Sequence, residues 1–178
     1  VTPQANTLVS LQSSVRYDPE ADCPVLKSFL NEIFLDDDRL VKFVQRTVGY
    51  SLTGRIEEQC LFIFNGDGAN GKSTLVNTIT KLLGGYSKTA PEQTLLANQR
   101  TGVGDDLAYL QGARFISVSE IDEGQALAEA KVKRITGGDD IAGRALHSLY
   151  GSLNIVGKIV IATNNLPKIN GRDHGIYR

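Results

Sequence analysis

The chain has 178 residues, of which 19 are Lys or Arg and 20 are Asp or Glu, so its formal net charge at pH 7 is −1. This balance excludes a protein that holds nucleic acid by bulk positive charge alone, although it permits a local basic surface. With 41% hydrophobic and 22% charged residues, the composition is that of a globular domain. The longest apolar runs are too short to cross a bilayer, so we expect no membrane partner.

Cysteine usage indicates the redox compartment of the protein, and the lack of methionine bears on whether the sequence is part of a longer one. Cys23 and Cys60 stand far apart and only two histidines occur, so we expect no disulfide framework, no zinc site and a reducing compartment such as a cytoplasm. No charged, apolar and small leader sequence opens the chain. The absence of Met leads us to expect a piece of a longer protein, with N-terminal processing and chance as the alternative.

The first third of the chain is predicted to be an arm followed by helices. Residues 1–21 show little periodicity and are interpreted as an arm or linker, and residues 22–56 as a small helical N-terminal segment. Pro24 suits the first turn of the first helix. The run Asp36, Asp37 and Asp38 suits the N-terminus of the second helix, because carboxylates there face the positive end of the dipole. A metal or protein contact is the alternative for that acidic run.

From residue 57 to 178 the sequence alternates apolar runs with helical stretches, which is typical of a parallel α/β core. Continuous apolar runs predict strands buried on both faces over 60–64, 114–119 and 157–163. Helices are predicted over 73–83, 105–110 and 125–135, and a short strand or turn over 88–90. A hairpin is predicted within 140–156, with its turn at Tyr150, Gly151 and Ser152.

The segment between the first strand and the helix after it matches the phosphate-binding pattern GxxxxGK followed by Ser or Thr. In that pattern glycines let backbone N–H groups converge on a phosphate, Lys72 reaches the β- and γ-phosphates, and the Ser73 hydroxyl ligates Mg²⁺. The helix that begins there adds the positive end of its dipole. The predicted ATP-binding residues are Gly66, Asp67, Gly68, Ala69, Asn70, Gly71, Lys72, Ser73 and Thr74.

The same loop also reads GxGxxG, so a dinucleotide-binding site is an alternative. Such a site needs an acidic residue about 20 positions further on, at the tip of a strand. Glu92 stands near that position, but it follows Pro91 in a polar stretch. A kinase-type glycine loop is weaker still, since no HRD or DFG element follows. The sequence therefore favours a nucleoside triphosphate.

Polar residues follow the second and third buried strands, where an ATPase needs them. Glu120 can hold the metal through water or act as general base, and Asp122 lies on the same side if the chain stays extended. A solvated strand end is the alternative for these acids. Asn164 is predicted to orient the attacking water and sense the γ-phosphate, with Asn165 as the second choice. An Asn-Asn-x-Pro turn is, however, also ordinary loop chemistry.

Together these motifs resemble the superfamily 3 helicase domain, an AAA+ relative, of phage, plasmid and poxvirus primase–helicases. The matching segments occur in the family's order over roughly residues 22–178 and read GYSLTG, GDGANGKST, GARF, SE, KRITGGD and NNLP. The resemblance implies a P-loop NTPase core with a parallel sheet flanked by helices, a β-hairpin insertion and a helical N-terminal segment. It also implies that Lys72 and Ser73 are Walker A residues, Glu120 the Walker B acid and metal ligand, and Asn164 the sensor.

The same resemblance implies a ring, usually a hexamer, that binds ATP and Mg²⁺ between neighbouring subunits. Single-stranded or replication-fork DNA would pass through its central channel, moved by the hairpin. The best DNA-facing candidates are Arg144, His147 and Tyr150, with Lys133 near the base of the hairpin. Six copies of a few cations around a pore would make a strong local field in a nearly neutral protein. As alternatives, Lys133 belongs to a solvated helix face and Arg144 pairs with an aspartate.

Two departures from the family pattern affect the catalytic residues. The family's second acid commonly follows the first closely, whereas here Ile121 precedes Asp122, so either carboxylate is a candidate general base. Family members carry an arginine pair shortly after the Asn-x-x-Pro turn, and one of the pair reaches the neighbour's γ-phosphate. Arg178 stands where that pair would begin, so the trans-acting arginine is Arg178 or lies beyond a core truncated at its C-terminus.

The predicted function is ATP hydrolysis coupled to unwinding or translocation of DNA. The chain would be the helicase part of a replicative primase–helicase from a phage, plasmid or prophage, with the primase module upstream. An AAA+ loader or initiator that does not unwind DNA is one alternative, and a scaffold in which ATP only holds a ring together is another. Glu120 and Asn164 argue against the scaffold, because a pure clamp needs no groups that orient water.

Overall fold

The computed structural model describes residues 10–13, 15–97, 105–143 and 151–171. Among the described residues, every helix falls short of the length and apolarity that a membrane span requires. The helices are α1 (Pro24–Ile33), α2 (Asp38–Ser51), α3 (Lys72–Leu83), α4 (Asp105–Leu110) and α5 (Glu129–Gly137). The strands are β1 (Phe62–Asn65), β2 (Ser87–Thr89), β3 (Phe115–Ser119), β4 (Ile141–Gly143), β5 (Gly151–Leu153) and β6 (Lys158–Thr163).

Four strands form one parallel sheet in the order β1, β6, β3, β2. The central strand β6 pairs with both neighbours, so that Val160 lies opposite Phe62 on one side and Ser117 on the other. Because the strands are parallel, their carboxyl ends share one edge of the sheet. The predicted α/β architecture with a parallel sheet is confirmed, as is the position of the third predicted strand beside the second.

Two apolar cores cover the two faces of this sheet. Side chains alternate along β6, so Ile159 and Ile161 enter one core while Val160 and Ala162 enter the other. The first core is completed by residues of α4, α5, β4 and β5, and the second by residues of α1, α2 and α3. The sheet is therefore flanked by helices on both faces. Its edge, where the carboxyl ends of the strands meet, lies between these two cores.

The prediction that the run 60–64 is buried on both faces is wrong. The strand there is β1, which begins at Phe62 and lies at the edge of the sheet, where its first three residues are half-buried and Asn65 is exposed. An edge strand has a neighbour on one side only, so its flank stays open to solvent. In contrast, β6 is buried throughout and β3 at all but its last residue, as predicted.

The helix predicted over 125–135 begins only at Glu129. The residues before it are extended and bonded to distant segments: Leu127 N donates to Lys168 O at 3.0 Å, and Lys168 N donates to Gln125 O at 2.8 Å. Backbone groups that are already paired in this way cannot join a helix. This contact also ties the segment after β6 to the start of α5.

Antiparallel strands β4 and β5 lie where a hairpin is predicted, with Ile141 opposite Leu153. The turn predicted at Tyr150, Gly151 and Ser152 is wrong for the last two residues, which belong to β5. They pair with β4, and this ladder of backbone hydrogen bonds outweighs the turn preference of Gly and Ser. Residues 144–150, between the two strands, lie outside the described residues.

The two predicted N-terminal helices are present and packed against the sheet. Pro24 opens α1, and the Asp37 carboxylate caps α2 by accepting the N–H groups of Arg39 and Leu40. Leu30 of α1 and Val44 of α2 are buried in the core that includes α3. The division into 1–21, 22–56 and 57–178 stays a prediction.

Candidate active site

The loop between β1 and α3 has the backbone shape of an anion-binding site. Ala69 (φ +61°) and Gly71 (φ +83°) are left-handed and stand among residues of ordinary conformation. Such alternation turns successive N–H groups toward one concave side. The first turn of α3, beginning at Lys72, adds N–H groups that have no partner within the helix, together with the positive end of the helix dipole.

Gly71 is required by the packing of α1 as well as by its own conformation. A Cβ atom at this position would lie 2.7 Å from Cγ2 of Ile33 and 3.1 Å from Cζ of Phe29. Both contacts are with α1, and φ is positive as well, so a residue with a side chain is excluded twice. Helix α1 therefore packs directly on the phosphate loop.

The Lys72 ammonium is held within the loop. Its Nζ donates to Gly66 O at 2.6 Å, to Asp67 O at 2.9 Å and to Asn70 Oδ1 at 2.8 Å. All three acceptors are neutral oxygens, so the positive charge is solvated by the loop but not neutralised by it. This lysine can exchange neutral partners for anionic ones without a change in the path of the backbone.

Glu120 follows β3 in a left-handed conformation, with φ +50°. Its N–H donates to Ala162 O at 3.0 Å, and the next side chain, Ile121, is 1% exposed. The chain turns sharply so that Ile121 can enter the core, and the condition for placing Asp122 on the same side as Glu120, an extended chain, is not met. The structure brings the Glu120 side chain to the phosphate loop.

Residues at the end of β6 hold the turn that carries Glu120. The buried Thr163 Oγ1 accepts the N–H of Ile121 at 3.1 Å and that of Asn165 at 3.2 Å. Asn165 Nδ2 also donates to Ile121 O at 3.3 Å. Asn165 is thus bonded to the neighbouring loop, while the exposed Asn164 faces the cavity. Sequence reasoning missed Thr163, although a polar residue ending an apolar strand was a visible signal.

A cavity of about 240 Å³ brings most of these groups together at the carboxyl edge of the sheet. Seven consecutive residues of the loop and of α3, from Gly68 to Thr74, line one side. The other side is formed by residues that end β3 and β6, namely Glu120, Ala162, Thr163 and Asn164. Asp122 is not among the lining residues.

Two oxygen-bearing side chains in this cavity suit a hard cation. Ser73 and Glu120 both line it, and hydroxyl and carboxylate oxygens are ligands that Mg²⁺ accepts. Within the described ranges, His, Cys, Asp and Glu nowhere gather in the groups of three that could hold a metal alone. A cation here would depend on further oxygens from a bound phosphate, which is how Mg²⁺ usually binds in such sites.

Lys133 is not among the residues that line this cavity. Lys133 is half-buried on α5, the helix that leads into β4. Four other predicted site residues fall outside the described residues: Arg144, His147, Tyr150 and Arg178.

Residues 64–178 match the model of a family described as a family of unknown function, DUF5906. The matched range is well over half of the chain. It begins inside β1 and contains both the phosphate loop and the residues that end β3 and β6.

Two viral proteins are similar to this chain in sequence. A protein of Acanthamoeba polyphaga mimivirus named "Putative helicase" is 28% identical over 156 residues, which is 86% of this chain and 16% of that protein. A protein of African swine fever virus named "Putative primase" is 25% identical over 126 residues, covering 69% of this chain and 13% of that protein. The chain thus spans less than a fifth of either relative. The predicted relationship to primase–helicases is confirmed.

Solved structures of the NrS-1 C-terminal region have a similar fold. One superposes with a TM-score of 0.61 at 15% identity, over 84% of this chain and 36% of that one. Another gives a TM-score of 0.58 at 14% identity, over 80% of this chain and 34% of the other. The likeness covers the parallel α/β architecture described above.

Proposed function

This chain belongs to the DUF5906 family, and we propose that it is the ATP-hydrolysing helicase part of a replicative primase–helicase. The observation that carries the proposal is the meeting of three predicted groups at one cavity: Lys72, Glu120 and Asn164. They come from three separate segments of the chain that the strand order places side by side. A loop that only binds phosphate through the GxxxxGKS pattern would not need Glu120 and Asn164 beside it.

In the proposed site the phosphates of ATP bind the N–H groups of the loop and the first turn of α3. Lys72 exchanges its three neutral acceptors for β- and γ-phosphate oxygens. Glu120 accepts a proton from the attacking water, which Asn164 orients. Ser73 directly, and Glu120 through water, would hold Mg²⁺, which neutralises charge developing on the phosphates.

The names of the two viral relatives, a helicase and a primase, support a role in DNA replication. We propose further that the active form is a ring, as a hexamer, with single-stranded DNA in its channel. The antiparallel pair β4 and β5 supports this because it ends next to the segment 144–150, which carries the proposed DNA-facing residues Arg144, His147 and Tyr150. Arg178 or a residue beyond it would complete the neighbour's site.

The test is the rate of ATP hydrolysis as a function of protein concentration, with and without single-stranded DNA. A shared site in a ring predicts a rate that rises more than linearly with concentration and increases with DNA. Lys72→Ala should abolish hydrolysis, whereas Lys81→Ala, an exposed lysine in the last turn of the same helix, should not. Binding of ATP without hydrolysis leaves two explanations, the scaffold or a trans-acting arginine beyond Arg178, and a chain extended at its C-terminus separates them: hydrolysis restored by the extension would exclude the scaffold. A rate proportional to concentration and blind to DNA would exclude the helicase.

A further inference from the structure

A second depression of about 540 Å³ borders the phosphate loop on the side of α1. Its walls are Phe29, Glu32, Ile33 and Leu35, from α1 and the turn after it, together with Thr74 and residues 69–71 of the loop. These loop residues and Thr74 also line the catalytic cavity. The two spaces therefore border the same loop.

The direction of a bound nucleotide follows from this arrangement. Glu120 and Asn164 mark the end of the catalytic cavity where the γ-phosphate reacts, and both belong to the sheet side of the loop. The nucleoside must then leave on the opposite side, past Thr74. The groove against α1 opens on that side, and Phe29 and Ile33 offer it an apolar wall that contacts the loop at Gly71.

Leu35 lies at the rim of this groove, in the turn that ends α1. It has φ +51°, Asp36 after it has φ +57°, and the Leu35 side chain is 88% exposed. Helices commonly end with a left-handed residue after the C-cap, and here the Asp36 N–H donates to Asn31 O at 2.8 Å to close α1. The Leu35 side chain is left exposed by this turn and adds an apolar surface to the rim of the groove.

We propose that this groove is the nucleobase subsite of the proposed ATP site, so the inference rests on that function. Phe29 and Leu35 hold the base by apolar contact, and the Glu32 carboxylate accepts a hydrogen bond from the exocyclic amino group of a purine. An ionised carboxylate can only accept hydrogen bonds. It therefore favours bases that present an amino group and disfavours those that present a carbonyl oxygen in its place.

Calorimetric titration with three ligands that are not hydrolysed tests the subsite: ADP, purine riboside 5′-diphosphate, which lacks the amino group, and pyrophosphate. Wild type should bind ADP on the order of tenfold more tightly than the purine riboside nucleotide, as one hydrogen bond to a charged group predicts. Glu32→Ala should remove that difference. Leu35→Gly should weaken both nucleotides several-fold and leave pyrophosphate unchanged. Val25→Ala, on the same helix and 82% exposed away from the groove, should change none of the three.

Weaker nucleotide binding by Leu35→Gly would not reflect misfolding. Gly adopts φ +51° without strain, so this variant should unfold at no lower temperature than wild type. The subsite alone is overturned if pyrophosphate binds as tightly as ADP, or if Glu32→Ala keeps the preference for the amino group. GDP in place of ADP shows which amino-bearing purine is preferred. If wild type binds none of the ligands, or Lys72→Ala binds them equally well, the ATP site fails and the subsite with it.

Discussion

Glu120 and Asp122 are separated by one buried residue, and this decides which of them lines the cavity. Because Ile121 is buried, the chain turns at Glu120 and only that carboxylate lines the cavity. The sequence leaves the two acids equivalent, since strand alternation places both on one side. The backbone conformation at a single residue distinguishes them.

We expect Glu120→Gln to lower the rate of ATP hydrolysis by about 10²–10⁴-fold, the usual contribution of a general base, with little change in ATP affinity. Asp122→Asn should lower it by much less, because this side chain lies outside the cavity. Single-turnover hydrolysis with a parallel binding titration separates the two effects. An equal loss in both variants would contradict the assignment of Glu120 as the base.

Thr163 lines the cavity beside Glu120, and its hydroxyl also holds the turn that carries Glu120. Thr163→Val keeps the shape but removes the acceptor of the buried Ile121 N–H, so the free energy of unfolding should fall by about 1–3 kcal/mol. The hydrolysis rate should fall more than ATP affinity, because the turn that aims Glu120 loosens. Urea unfolding and steady-state kinetics measure both changes. Thr163→Ser retains the hydroxyl and should retain most of the activity; a serine variant as impaired as the valine variant would argue for packing alone.

At the scale of secondary structure, Lys158 joins the start of β6 to the end of α2. Lys158 is 3% exposed, and its Nζ donates to Thr53 O at 2.7 Å and to Val156 O at 3.0 Å. Nζ also lies 4.6 Å from the centre of the Tyr50 ring. Burial, together with the nearby Arg114 charge, lowers the pKa of Lys158 below its ordinary 10.5.

This lowered pKa predicts a pH dependence of stability. Between the lowered value and 10.5, the unfolded chain binds the lysine proton more tightly than the folded chain, so the free energy of unfolding rises with pH. Burial raises the pKa of Cys60 and Tyr50, and these groups act in the opposite sense at alkaline pH. The contribution of Lys158 is therefore obtained as the difference between wild type and Lys158→Met.

Urea unfolding of both proteins from pH 7 to pH 10.5 measures that difference. We expect it to shift in favour of wild type as the pH rises through the upper part of the range. Lys81→Met is the control because Lys81 is exposed. Its difference from wild type in the free energy of unfolding should not change with pH. A flat difference for Lys158→Met as well would mean that its pKa is not lowered in the folded protein.

Sequence reasoning located elements whose signal is local and failed where the signal is distant. The runs that became β3 and β6 were found because a strand with neighbours on both sides must be apolar throughout. The edge position of β1 depends on the order of the strands in the sheet, and a single apolar run carries no information about that order. The start of α5 was misplaced because Lys168, some forty residues away, binds the backbone of residues 125–127.

For the whole molecule, α1 and α2 belong to the same core as the sheet. Leu30 and Val44 are buried together with Val76 of α3 and Val160 of β6. Full burial of each such side chain stabilises a protein by about 1.5–3 kcal/mol. Since folded domains are stable by only about 5–15 kcal/mol, the remaining core depends on these two helices.

A chain that begins at residue 57 should therefore lose cooperative unfolding, although it keeps every residue of the catalytic cavity. Near-ultraviolet circular dichroism during urea titration is the measurement. Leu30→Ala, which leaves both helices in place, should remain cooperative and lose about 2–5 kcal/mol of the free energy of unfolding. A shortened chain that unfolds at the same urea concentration as the full one would show that the helices are an independent unit.

The three neutral oxygens around Lys72 have a consequence for the proposed turnover of ATP. Because the ammonium is already solvated by the loop, an incoming phosphate contributes only the gain of charged over neutral acceptors, and this gain grows with the negative charge that the ligand carries. Hydrolysis would divide the negative charge of the bound phosphates between two products. The Lys72 ammonium can then return to its hydrogen bonds with the three loop oxygens. In the proposed ATP site, product release would then leave no bare cation, because the loop oxygens solvate the lysine again.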